Sequence, residues 1–287
     1  MAVAPEIFIG TSGYSFADWV GPFYPPGTRS ADFLGYYATQ FNCVEVNSTY
    51  YGIPEPRVLA NMEKKTPDGF RFIVKLNQEM THEYSSDRAL YSRFLAAVAP
   101  LKAAGKYHGL LAQFPWAFRR DERSKAHLER LRTLLEDEPL WVEFRHDSWM
   151  HPKLPAWLGE RSLGYCVVDE PALPGLVPPV THVTNGIGYV RFHGRNATHW
   201  WDTARRQRGG AAADALPSAP QPRGRGDQLR YDYNYSEREL MEWVARINEL
   251  AKQAKQTYLF FNNCHAGQAA RNAKLMEELL RRSERLI

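Results

Sequence analysis

Cysteine is scarce in this chain, and what there is lies scattered. Cys43, Cys166 and Cys264 stand far apart with no Cys-x-x-Cys. That argues against a disulfide framework and a thiolate metal site, and points to a reducing compartment. No window approaches the ~18 consecutive apolar residues that a membrane-spanning helix needs. Met1–Glu6 lacks the basic stretch and apolar run of a secretory leader. A cytoplasmic protein with no membrane partner is therefore expected. Missing too are a Gly-x-Gly-x-x-Gly phosphate loop at any strand-to-helix junction and a His-x-x-x-His helix spacing. Neither a resident metal nor another cofactor is predicted.

What is present reads as globular. The chain has 287 residues, 44% hydrophobic and 24% charged, with a formal net charge of +4. The excess has an address. Arg205, Arg206, Arg208, Arg223, Arg225 and Arg230 face only Asp214 and Asp227 in their stretch, and without them the chain is charge-balanced. That stretch, rich in Gly, Ala, Pro and Arg, has no hydrophobic period, so residues 203–230 are predicted to form a flexible insertion. A nucleic acid is one partner it would suit.

Eight segments read as short buried strands bounded by turn signals: Ile7–Gly13, Cys43–Tyr50, Phe70–Asn77, His108–Phe114, Leu140–His146, Gly164–Asp169, Ile187–Arg195 and Thr257–Asn263. Helical periodicity fills most gaps, over Ala31–Phe41, Arg57–Lys65, Asp87–Ala104, Ser124–Glu136 and Ala266–Arg285. Ser30 is placed to cap the first of these. Ser236-Glu237-Arg238-Glu239 is a capping box ahead of a helix ending near Lys255. Strand and helix alternating to eight strands predict a single-domain α/β protein over 1–287, a (β/α)8 TIM-like barrel. An open doubly wound sheet is the alternative. The proline-rich run Glu170–Pro179 cannot be helical, so helix six is expected to be missing or reduced.

In such barrels the C-terminal ends of the strands carry the site. Alternation puts Glu45, Asn47 and Thr49 on one face, Glu143 and Arg145 on another, and Tyr189, Arg191, His193 and Arg195 on a third. The opposite parity is apolar, as in Val44, Val46, Val142, Phe144, Val190 and Phe192. Lys75, Asn77, Gln113, His146, Asp169, Asn262 and Asn263 join them at strand ends, and Tyr14, Trp19, Tyr50, Tyr51, Trp116, Trp149, Trp200 and Trp201 ring the mouth. A buried Glu–Arg network that merely holds the strands is the competing reading.

The stretches Gly10–Tyr14, Val44–Tyr51, Gln113–Pro115, Glu143–Trp149, Tyr189–Arg195 and Phe261–Asn263 occur in the right order. In them the chain resembles the YecE-like family, the domain of unknown function number 72. The resemblance spans about Ile7 to Leu280. It implies a TIM barrel and no particular activity. The Arg-rich insertion between Trp201 and Tyr231 departs from the family's usual shorter connection.

The residue types themselves suggest an enzyme acting on a phosphorylated or nucleotide-type anion by hydrolysis. Glu45 or Glu143 would be the base and His193 the acid. Asn47, Tyr50, Lys75, Arg145, His146, Arg191, Arg195, Asn262 and Asn263 would bind the substrate, the arginines clamping its anion and the amides of His265–Gln268 adding to them. A non-catalytic nucleic-acid-binding protein is the second reading. A metal-dependent sugar isomerase or endonuclease, by fold analogy alone, is a weaker third.

Overall fold

The computed structural model describes residues 6–201 and 229–284. Most of the predicted insertion therefore lies outside the described residues. All strand pairs are parallel. The strands are β1 (Glu6–Thr11), β2 (Cys43–Val46), β3 (Arg71–Lys75), β4 (Tyr107–Gln113), β5 (Leu140–Glu143), β6 (Leu163–Tyr165), β7 (Val167–Asp169), β8 (Ile187–Phe192) and β9 (Gln256–Phe261). They form two sheets, ordered β1-β9-β8-β7 and β2-β3-β4-β5-β6. This is a mixed α/β architecture of parallel strands with intervening helices, consistent with a TIM-like fold.

Two local features bring the sheets together. β6 and β7 are one extended run broken only at Cys166, whose N–H donates to Val142 O. On the other side, Ser12 bridges Glu45 in parallel sense. Gly10 makes that approach possible, because a Cβ there would stand 2.4 Å from Cys43 O.

Except for Gly164–Asp169, whose end at Asp169 is where it was expected, the strands end earlier than alternation alone suggested. β2 stops at Val46, and Asn47 begins the short helical turn Ser48–Tyr51. β8 stops at Phe192, and Gly194 turns the chain at φ 86°. Helix Phe33–Gln40 follows a 3-10 turn over Ser30–Asp32, so Ser30 lies inside that turn and caps nothing. Asp87 and Asp121 instead cap Arg88–Ala103 and Glu122–Leu134 by accepting backbone N–H groups. The Ser236–Glu239 capping box is present at the start of Glu237–Lys252. From Glu170 to Gly186 the chain runs through turns without a helix. No helix of the described residues is long and apolar enough to cross a membrane.

The space between strands is filled with rings. Trp141 packs 5.2 Å from Tyr189, and Tyr189 lies 5.4 Å from Phe260. Trp141 and Tyr189 share the parity of Glu143 and Arg191 and lie one pleat nearer the strand N-termini, while Phe260 pairs in register with Arg191, and together they form a hydrophobic floor.

Candidate functional site

Above that floor, β2, β5 and β8 converge on one guanidinium. Arg191 donates from Nη2 to Glu45 Oε1 and from Nη1 to Glu143 Oε2, each at 2.6 Å. Ser12 Oγ lies 3.3 Å from Nη2, and Tyr189 OH donates to the other Glu45 oxygen at 2.6 Å. Arg191, Glu45 and Glu143 are all sealed from solvent. Charges this deep persist only when paired and hydrogen-bonded.

A second arginine extends the chain of charges. Arg145 Nε stands 2.5 Å from Glu143 Oε1, although its N–H is not aimed for a hydrogen bond. Its Nη1 donates to Glu170 Oε2 at 3.1 Å. Burial pushes the Glu143 carboxyl up, but Arg145, Arg191 and His193 outweigh it and hold it well below the usual range. Glu170 goes the other way. Burial raises it to about 7, helped by Glu143 and opposed by Arg145.

His193 is completely buried, with Nε2 3.2 Å from Glu143 Oε1. Asn262 Nδ2 lies 3.0 Å from Nδ1. With the Asn262 amide donating, the imidazole carries its proton on Nε2, toward the carboxylate. Burial, followed by Arg145, depresses its pKa well below the ordinary value, so it is neutral.

Lys75 is the exception among the cations. It is the last residue of β3 and half-buried, with Nζ 2.8 Å from Gln113 Oε1 and 4.3 Å from the centre of the Tyr50 ring. Among the described residues no carboxylate pairs with it. Burial first, then Arg191, bring its pKa down to about 7, while Glu143 and Glu45 push back.

Other predicted site residues sit elsewhere. Arg195 grips Asp169 through Nε at 2.9 Å and Nη2 at 2.6 Å. Asp169 also accepts from Tyr235 OH and Trp243 Nε1, so this pair ties the strand ends to helix Glu237–Lys252 rather than to Arg191. Asn263 donates to Tyr233 O and Asn272 Oδ1, a second outer anchor. His146 accepts from Ser148 N and packs its ring 4.9 Å from Trp116. Asn47 donates to Ser12 O at 3.2 Å, from a backbone that is no longer extended. The amide of Ala266, expected to face an anion, donates instead to Asp18 Oδ2 at 2.7 Å. Of the aromatic rim, Trp19, Trp149 and Trp200 are buried packing residues. Tyr50, Trp116 and Trp201 keep part of their surface open.

Gln113 and Tyr189 stand among the strand-end residues named from the sequence, but no catalytic or binding role was assigned to them or to Ser12 and Glu170. The available signal was position, since each lies on or within a residue of a strand. One further feature is visible only in three dimensions. Glu143 Oε1, Arg145 Nε and His193 Nε2 satisfy one another as charged or polar neighbours at 2.5 and 3.2 Å without ideal hydrogen-bond angles, whereas Asn47 Oδ1 is buried and accepts no hydrogen bond.

Comparison with known proteins agrees with this architecture. The family model described as "Protein of unknown function DUF72" matches residues 8–286. The UPF0759 protein YunF of Bacillus subtilis is 32% identical over 96% of this chain and 94% of its own length. A DUF72 family protein of Thermotoga maritima, known as a crystal structure, superposes with a TM-score of 0.81. It is 36% identical and covers 96% of this chain and 99% of that one. One from Enterococcus faecalis gives 0.78 at 28% identity, covering 96% and 95%. The chain belongs to the DUF72 family of proteins of unknown function.

Proposed function

We propose that the two sheets are halves of one (β/α)8 barrel and that its C-terminal mouth is the active site of an enzyme for a small anionic molecule. The Ser12–Glu45 bridge and the continuity of β6 with β7 support closure. The observation that carries the functional reading is Lys75. Of the four cations Lys75, Arg145, Arg191 and Arg195, it alone has no carboxylate partner among the described residues, and it keeps part of its surface open.

Roles follow from the pairing. Arg191 and Arg145 keep Glu143 ionised, and Glu143 in turn orients His193. Glu170, near 7, is a better proton carrier at neutral pH than Glu143. Lys75 meets the anion, with the face of the Tyr50 ring against its Nζ. Phosphoester hydrolysis asks for guanidinium groups free to meet the phosphoryl oxygens. Arg191 and Arg195 are held by carboxylates, so the reading advanced keeps the small anionic substrate and sets hydrolysis aside. A metal between Glu45 and Glu143 is disfavoured in the same way, since Arg191 fills that position.

A thermal-shift panel of phosphorylated and carboxylated metabolites tests the reading. Ligands that stabilise the protein should lose their effect in Lys75→Met and in Asn47→Ala. Stabilisation that survives both substitutions places the ligand elsewhere and contradicts it.

A further inference from the structure

We propose that Lys75 is a nucleophile that forms an imine with a small anionic carbonyl compound. The inference rests on the mouth being the active site and names the class of its substrate.

Among the described residues Nζ lacks the carboxylate that a structural ammonium takes. A buried ammonium normally acquires a carboxylate. Lys106 in this chain does so, with Glu63 Oε1 at 2.9 Å. Lys75 has instead the amide oxygen of Gln113, which accepts an N–H from either protonation state. The Tyr50 ring lies against it, and His82 packs 5.1 Å from that ring. Arg191 and Arg145 press it toward neutrality, and Glu143 and Glu45 oppose them from within the arginine network. His82 is itself held neutral by burial and by Lys75, so it adds no counter-charge. A lysine at the end of a barrel strand, half-open and partly neutral at pH 7, is equipped to attack a carbonyl carbon.

The lone pair of Nζ forms a C–N bond to the carbonyl carbon, and the C=O π pair moves to oxygen. The oxygen takes a proton while the nitrogen gives one up. A second proton converts the hydroxyl of this carbinolamine to water, which leaves as the C=N bond forms. Glu170, raised to about 7 and paired with Arg145, is the carboxyl of this network that exchanges a proton at neutral pH. The buried Asn47 Oδ1, which accepts no hydrogen bond, is an acceptor available to the hydroxyl stage. No reductant or other co-reactant is needed.

Pyruvate as probe with cyanoborohydride gives the test, because reduction fixes the imine as a stable secondary amine. Peptide mapping by mass spectrometry should find the adduct on Lys75 well above every other lysine. Its rate of formation should rise through about pH 7, whereas surface lysines react only at much higher pH. Lys75→Arg and Lys75→Met, checked for folding by thermal melting, should both lose it. Labelling spread evenly over surface lysines and unchanged in these variants overturns the proposal. If carboxylated ligands still stabilise the wild type through Lys75 and Asn47 while no adduct forms, the imine is wrong and the anion site stands. If neither is seen, both readings fall.

Discussion

Arg191 and Glu143 meet at 2.6 Å with both side chains shut off from solvent, and Glu45 closes on the same guanidinium from the opposite strand. Two carboxylates thus share one cation at the level where the strands end. Removing the cation strands two buried anions. Arg191→Met is predicted to destabilise the protein by about 3–5 kcal/mol, read from urea unfolding. Adding Glu45→Gln and Glu143→Gln should restore much of that loss. A cost under about 1 kcal/mol for the single substitution is the value for a surface pair, and would contradict the buried network.

Lys75 makes stability depend on pH with a definite sign. Its folded pKa, about 7, is below the ordinary 10.5. Below pH 7 it is charged in both states, and the folded protein carries the whole penalty of that charge. Between 7 and 10.5 the folded amine is already neutral while the unfolded one is still losing its proton, so the penalty fades. Lys75→Met should therefore stabilise most below pH 7, and its advantage should shrink toward pH 10. The slope cannot exceed about 1.4 kcal/mol per pH unit for one proton. Denaturant titrations at pH 6.5 and 9.5 measure it. An advantage that grows with pH would show the charge to be favourable where it sits.

Gly10 governs how closely β1 approaches β2. A Cβ would meet the backbone oxygen of Cys43 at 2.4 Å, and backbone cannot swing away as a side-chain tip can. Gly10→Ala is expected to cost about 1–3 kcal/mol and to raise hydrogen exchange at the Ser12–Glu45 bridge. Wild-type exchange in the variant would mean that the approach is not needed.

Much of this site was legible in the sequence, for a simple reason. Alternation is strict while the chain is extended, so Glu143 and Arg191 were placed on the inner face by parity alone, opposite Val142 and Val190. It failed where the backbone stopped being extended. Gly194 at φ 86° breaks the period, and Arg195 turns out toward Asp169 and Trp243 instead of joining Arg191. Asn47 begins a turn, so alternation no longer fixes where its side chain lies. Partner choice was the other hidden quantity. A row of arginines at strand ends reads as an anion clamp until distances show which carboxylates already hold them. Lys75 stood out only by that subtraction.

The most direct check on the mouth as a small-molecule site is a crystal structure determined with phosphate or sulfate present. The account predicts an anion within hydrogen-bond reach of Lys75 Nζ, with Asn47 Oδ1 or His193 Nε2 engaged by the molecules around it. An anion found only on surface arginines, with Lys75 Nζ drawn onto a carboxylate and the mouth closed by the Arg145–Glu143–Arg191 pairs, would contradict it.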